Sequence, residues 1–330
     1  MKKKIIKRII IITVVINVII FLVIAGKITI EKSKEEIAKR FPSFSQPALF
    51  DGSTKSACTD GEDYHAQIVY ARAKDTTSRY QDLSPKLRSW FRSADGIVNE
   101  EAKKFKMSAN LKVLCENGEI SVIEAVLPNT DVYYASAPQE TRKALIKDLG
   151  LSGYNKENTK YIVWYDGKAS GCGGNACISQ QSIKGPDDQL SEDNIYNVGP
   201  DYAILYKVDD ATIQQLLGTS YDMVAPILML HEYAHTLGAV QPSAPHATKK
   251  ETSAQKHCID SPTIGQGGTD IMCKSDAQGE VFGNECPGMF PFRFDCNNDD
   301  YFNPKPDPGS YLATHWNLGS PLNRFIKFGQ

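Results

Sequence analysis

The chain has no G-x-S-x-G turn, no G-x-x-x-x-G-K-[ST] loop and no C-x-x-C pair. Those absences set aside a serine hydrolase of the nucleophile-elbow type, a P-loop nucleotide enzyme and the common paired-thiolate zinc site. It has no internal repeat. It also lacks a basic surplus: beyond residue 8 there are 32 basic against 39 acidic residues. A body of that balance is a poor partner for nucleic acid, whose binding is dominated by phosphate charge. What remains is an ordinary globular composition, 41% hydrophobic and 23% charged over 330 residues. This excludes wholesale disorder, a fibre and a polytopic membrane protein, and allows one large domain or two small ones.

The first eight residues hold no acid and five cations (Lys2, Lys3, Lys4, Lys7, Arg8), and 17 uncharged residues follow from Ile9 to Ala25. A basic flank ahead of an apolar run is an export signal that leaves the positive end in the cytoplasm. The expected organisation is therefore a cytoplasmic basic tail at 1–8, a transmembrane anchor or signal peptide at 9–26, a stalk or linker at 27–57 and an extracellular domain at 58–330. The run is long enough to span as a single-pass anchor, which places the protein on the outer face of the cell membrane. Val23 and Ala25 also suit cleavage after Ala25, the alternative being a secreted protein.

All eight cysteines (Cys58, Cys115, Cys172, Cys177, Cys258, Cys273, Cys286, Cys296) fall in the exported part. An even count in that compartment reads as four disulfides. Proximity suggests Cys172–Cys177, Cys258–Cys273 and Cys286–Cys296, leaving Cys58–Cys115, although about a hundred pairings are open on sequence alone.

Residues 30–41 read as a short charged helix broken by Pro42. Strands are expected at 65–73, 111–115, 120–127, 161–166 and 202–207. Leu87, Trp90, Phe91, Ala94, Val98, Ala102 and Phe105 recur at helical spacing after Pro85, and 139–150 reads as a helix ending at Gly150. A longer helix runs from Asp222 to Leu237 and stops at Gly238. Beyond it the chain is rich in Pro, Gly and Asp. Strands alternating with helices, then an irregular cysteine-rich tail, predict a mixed α+β fold.

The chemistry concentrates in HEYAHTLG at 231–238. His231 and His235 are four apart on a helix, so both imidazoles leave one face and can grip one Zn²⁺. Glu232 is next to the first ligand and can serve as general base toward a metal-bound water. Gly238 can end the helix in a left-handed turn and let the chain swing back with a third ligand.

This pattern resembles the metzincin zinc peptidases, whose signature is H-E-x-x-H-x-x-G-x-x-H followed by a Met-turn. The likeness covers HEYAHTLG and TDIMC, and implies that Met272 underlies the zinc. It departs at Gln241, where metzincins carry the third His or Asp; a neutral amide is a poor zinc ligand. The third ligand is then sought in His257 of HCID, in the competing His246 of QPSAPHAT, or in Asp260. A long insertion before the third histidine also occurs in metzincins of the leishmanolysin type. If Cys258 pairs with Cys273, His257 comes beside the Met-turn. YIVWYD, GCGGNAC, LHEYAHTLGAVQPSAPHAT, DCNNDDYF and GSYLATHWN extend the likeness over about residues 58–325, to a group of exported bacterial metzincin-like proteins of uncharacterised substrate. The resemblance implies one peptidase-like domain with a mixed sheet, an active-site helix and a disulfide-rich C-terminal part.

Asp295, Asn297, Asp299 and Asp300 crowd into DCNNDD and could bind Ca²⁺, but the spacing is not that of an EF-hand; a solvated turn pinned by Cys286–Cys296 is the simpler reading. His315 and Trp316 read as packing residues. The whole points to an exported zinc endopeptidase acting on a protein or peptide substrate, with zinc held by His231, His235 and His257. The alternatives are an inactive metal-stabilised binding or adhesion module, and a zinc hydrolase of a non-peptide amide in cell-wall material.

Overall fold

Three strands have almost no residue that meets water. They are β2 (His65–Ala73), β6 (Thr159–Tyr165) and β8 (Asp201–Tyr206), and every residue of the latter two is buried. HAQIVYARA suggested alternation, the pattern of a half-exposed strand. Burial on both faces arises because helices cover both sides of the sheet, as parallel sheets require. In the computed structural model, which describes residues 56–136, 141–169, 178–217, 220–249, 257–259, 269–273 and 292–329, these strands run parallel.

The other elements, in chain order, are β1 (Ala57–Thr59), α1 (Tyr80–Lys103), β3 (Ser108–Glu116), β4 (Glu119–Ile120), β5 (Val122–Leu127), α2 (Asp131–Ala135), α3 (Thr141–Leu151), β7 (Ser179–Gln181), α4 (Asp210–Leu217), α5 (Tyr221–Thr236), β9 (Thr269–Asp270), β10 (Phe292–Arg293) and β11 (Ile326–Gly329). The main sheet runs β1-β3-β2-β6-β8-β7. β5 continues the edge of β2 that β3 begins. β7, β4 and β11 pair antiparallel, so the sheet is mixed and the fold is α+β.

Alternate side chains of each central strand feed two cores. Ile68, Ile162, Trp164 and Leu205 pack under α1 and α5, and Val69, Val163, Tyr165 and Ile204 pack under α2 and α3. Leu87, Trp90, Phe91, Ala94, Val98 and Ala102 form the buried stripe of α1, while Phe105 lies past its end. The helix begins at Tyr80, ahead of Pro85 rather than after it. Trp164 of β6 sits between Trp90 and Tyr221, with ring centroids 5.4 and 5.0 Å away, and so joins the sheet to α1 and to the first residue of α5. This packing fixes where α5 lies, and α5 carries the H-E-x-x-H residues.

Cys58 and Cys115 are bridged, as are Cys258 and Cys273; Cys296 is also disulfide-bonded. Cys172, Cys177 and Cys286 lie outside the described residues. So do the helix expected at 30–41, the basic tail and the apolar run at 9–26. Among the described residues no helix is long and apolar enough to cross a membrane. The chain divides into Met1–Leu49 and Phe50–Gln330, and every described residue belongs to the second unit.

Candidate metal centre

The site starts from the end of α5. Its last helical residue is Thr236, and Gly238 then adopts φ +99°, a left-handed conformation open to glycine at little cost. A Cβ there would lie 2.6 Å from Trp316 Nε1 and 2.8 Å from Tyr196 Cγ. The closeness has a purpose: the Trp316 indole N–H donates to the Leu237 carbonyl at 2.7 Å and caps the helix. From below, the ammonium of Lys160 donates to the Thr236 carbonyl at 2.7 Å and pairs with Asp201 at 2.5 Å. Lys160 is fully buried, and desolvation lowers its pKa to about 8, with Asp201 opposing the shift.

The turn then supplies an acceptor. The Nδ1 of His235 lies 2.7 Å from the Ala239 carbonyl, and that of His231 lies 2.6 Å from the Ile271 carbonyl. A carbonyl can only accept, so both Nδ1 atoms carry a proton, and in the neutral ring each Nε2 presents a lone pair. Acceptors of this kind fix the tautomer and orientation of metal-binding histidines.

His257 completes the group. Its Nε2 lies 3.2 Å from that of His235 and 3.3 Å from that of His231. Two ligand atoms about 2.0–2.1 Å from a tetrahedral zinc are about 3.3–3.4 Å apart, so both separations from His257 match the edge of such a tetrahedron. A proton on His257 Nε2 could be shared with only one neighbour, whereas a cation between the rings satisfies all three. His231, His235 and His257 thus form a group able to hold a metal ion.

The backbone shows how a residue 22 positions beyond His235 reaches the centre. Thr248 N–H donates to the His257 carbonyl at 2.8 Å, Ile259 N–H to the His246 carbonyl at 2.7 Å, and Cys258 N–H to the Met272 carbonyl at 3.0 Å. The segment 257–259 is thereby held between the chain after α5 and the turn at 270–273. Met272 in that turn is completely buried, and its N–H donates to Asp270 at 2.7 Å.

His246 goes elsewhere. Its backbone N–H donates to Asp300 at 2.9 Å, and its Nδ1 lies 3.2 Å from the same carboxylate. Gln241 bridges two backbones, donating to the Gly238 carbonyl at 2.8 Å and accepting from Asp187 N–H at 3.0 Å. Asp260 lies outside the described residues.

Glu232 is buried, and Ser179 Oγ of β7 donates to its Oε1 at 2.7 Å. Sequence reasoning missed Ser179, and no spacing could have revealed it, since the two residues are 53 apart. Lys160 could have been noticed: a lysine inside the apolar run TKYIVWY is rare unless paired.

The DCNNDD turn is solvated only in part: Asn297 is exposed, but Asp295, Cys296 and Asp300 are buried. Asp295 is 1% exposed, and its carboxylate accepts from the N–H groups of Asp299, Asp300, Tyr301 and Phe302. Its oxygens face backbone donors, an arrangement that anchors a turn rather than offering ligands to Ca²⁺. Burial, with Asp300 and Asp270 close by, holds its pKa well above the ordinary carboxylate range. Trp316 is buried as expected, and His315 stacks on Tyr311 at 4.3 Å between centroids.

No protein-family model matches the chain, and no curated protein matches it. Among solved structures, the chain is similar to wild-type OgpA from Akkermansia muciniphila in one crystal form, at 11% identity and TM-score 0.35, covering 76% of this chain and 62% of that one. A second crystal form gives 10% identity and TM-score 0.33, covering 78% and 70%. Catalytically inactive OgpA in complex with an O-glycopeptide substrate gives 13% identity and TM-score 0.33, covering 58% and 52%. The chain thus spans about six-tenths of the first of these proteins. Likeness this shallow assigns neither fold nor activity to the chain.

Proposed function

We propose that the chain is an exported zinc-dependent endopeptidase. The observation that carries this reading is the convergence of three imidazoles, with His257 Nε2 at 3.2 and 3.3 Å from those of His235 and His231, and the Glu232 carboxylate on the adjacent position of the same helix. Neutral imidazoles in a set of three, with a carboxylate beside them, are the donor set of hydrolytic zinc sites. When bound, zinc supplies Lewis acidity that acidifies water and polarises a carbonyl.

The chain's own residues perform the remaining steps. Ala239 and Ile271 carbonyls hold the two helix imidazoles in the tautomer that binds metal. Glu232 accepts a proton from the attacking water and delivers it to the nitrogen of the departing amine, so the scissile C–N bond breaks without expelling an amide anion. Ser179 holds one carboxylate oxygen of Glu232 at 2.7 Å, which fixes the direction in which the proton travels. Export and membrane anchoring through residues 9–26 belong to the proposal, supported by the basic flank and the uncharged run.

The test is metal analysis of the purified protein, followed by incubation with a library of plain and O-glycosylated peptides beside Glu232→Gln. The expected result is one zinc per chain in both proteins, with products from the native protein reduced by about 10²–10⁴ in the variant. A folded native protein that binds no zinc when supplied with it would overturn the reading. Zinc binding without cleavage of any peptide would move it to a binding module or a non-peptide hydrolase.

A further inference from the structure

His231 and His235 are placed by helix geometry, but nothing of that kind places His257. Among the described residues its segment is three long, and its neighbours in space come from two distant stretches of chain. Cys258, the next residue, is bonded to Cys273, and both are buried. Cys273 in turn follows Ile271 and Met272, and Ile271 supplies the carbonyl that orients His231.

We propose that the Cys258–Cys273 disulfide is the positioning element of the metal centre: it holds His257 against the two helix histidines and so sets the affinity for a divalent metal. This rests on the metal-binding reading above. The bond connects the residue after the third ligand to the turn that fixes the tautomer of the first. One covalent link therefore limits two of the three imidazoles at once. Three backbone hydrogen bonds also hold the segment, and each is worth little net in water. Closing a chain over a separation of 15 residues restricts the open ensemble by a factor on the order of a hundred. A metal site whose third ligand is not held in place must recover that factor from binding energy, so the apparent affinity falls by up to the same amount. Formation of the bond from two thiols needs an oxidant of the thiol–disulfide exchange class, which takes up the two electrons and two protons released. The centre is accordingly complete only after the chain has met such an oxidant, as exported chains do.

The experiment measures zinc affinity of the full chain by competition with a chromophoric chelator, and records the visible spectrum of the Co²⁺-substituted protein. Five proteins are compared: native, Cys258→Ala with Cys273→Ala, Cys58→Ala with Cys115→Ala, His257→Ala, and the Cys258/Cys273 pair combined with His257→Ala. Reductant is avoided, because thiolates freed beside Asp270 would themselves ligate metal. The Cys258/Cys273 pair is expected to bind zinc about 10–100-fold more weakly, with a Co²⁺ spectrum altered in the same sense as that of His257→Ala. The Cys58/Cys115 pair, which staples β1 to β3, should stay within about threefold of native. Adding His257→Ala to the Cys258/Cys273 pair should cost little further affinity, the non-additivity expected of residues acting as one unit.

A folded Cys258/Cys273 pair that binds zinc within threefold of native would overturn the proposal, and so would losses that multiply with His257→Ala. Should the alanine pair lose its fold, Cys258→Val with Cys273→Ala restores buried volume. If that pair also fails to fold by circular dichroism, the bond is a determinant of folding and the proposal falls. Failure of the native protein to bind zinc brings down the metal reading itself, an outcome separate from tight native binding that the disulfide does not affect.

Discussion

Replacing Gly238 by alanine separates two costs that the structure assigns to one position. The first is conformational: a residue with a Cβ pays about 1–2 kcal/mol to hold a left-handed backbone. The second is steric. The new Cβ would stand 2.6 Å from Trp316 Nε1, 2.8 Å from Trp316 Cδ1 and 2.8 Å from Tyr196 Cγ. Neither ring can yield freely, since both residues are about 1% exposed and the indole is bonded to the Leu237 carbonyl. Overpacking of that kind costs about 1–3 kcal/mol. Gly238→Ala should therefore lose about 2–5 kcal/mol, a large share of the roughly 5–15 kcal/mol that holds a domain together. Gly153 supplies the control: it has φ +95° but nothing within 4 Å of its would-be Cβ. Gly153→Ala should cost only the conformational part, about 1–2 kcal/mol. The assay is urea unfolding followed by far-ultraviolet circular dichroism, with the slope checked for two-state behaviour. Equal losses at the two positions, within about 0.5 kcal/mol, would refute the reasoning, because the contact with Trp316 would then have no energetic consequence. The substitution has a second readout. Ala239 carries the carbonyl that accepts from His235, so displacement of the turn should weaken zinc binding in Gly238→Ala and leave it unchanged in Gly153→Ala.

Three further outcomes follow from the buried charges. Asp95 is fully buried, and desolvation raises its pKa to about 7, partly offset by the Leu111 N–H. A folded pKa above the unfolded value gives stability that is present below about pH 4 and lost as pH climbs to about 7. Asp95→Asn keeps an acceptor for Leu111 and should gain about 2–3 kcal/mol on the native protein between pH 5 and pH 8, read by urea unfolding at both; an unchanged difference rejects the assignment. Ser179→Ala should leave zinc content intact and lower kcat about 10–100-fold with little change in KM, since a hydrogen bond to a charged group is worth about 1.5–3 kcal/mol. Loss of metal from that variant would contradict its placement on Glu232 alone. Lys160→Met leaves Asp201 buried beside Lys184, and should cost about 3–5 kcal/mol in thermal or urea unfolding. A near-neutral result would mean that Lys184 takes over the role.

Much of the centre was legible locally. The i, i+4 spacing of His231 and His235 needs only a helix, and the helix expected at 222–237 differs from Tyr221–Thr236 by one residue at each end. The strand at 65–73 is where the apolar run put it, and those at 161–166 and 202–207 differ by one or two residues. These features depend on neighbours within a few residues, so periodicity and breaker residues suffice to find them. The α+β class follows from the same order of elements.

What the sequence by itself determined was thus the helix that carries H-E-x-x-H, its glycine stop, the central strands and the two helix histidines. Only the tertiary structure decided between His257 and His246. Both are loop histidines with no periodic pattern around them; one is drawn to the centre because its carbonyl accepts from Thr248 and the next residue, Cys258, is bonded to Met272 and Cys273, and the other is claimed by Asp300. The same holds for Ser179 on Glu232, for Trp316 on the helix end and for the carboxylate of Asp295 buried among backbone N–H groups. Each of these contacts joins elements whose approach is set by packing, and no local rule of spacing encodes the distance between two surfaces that meet only when the chain has folded.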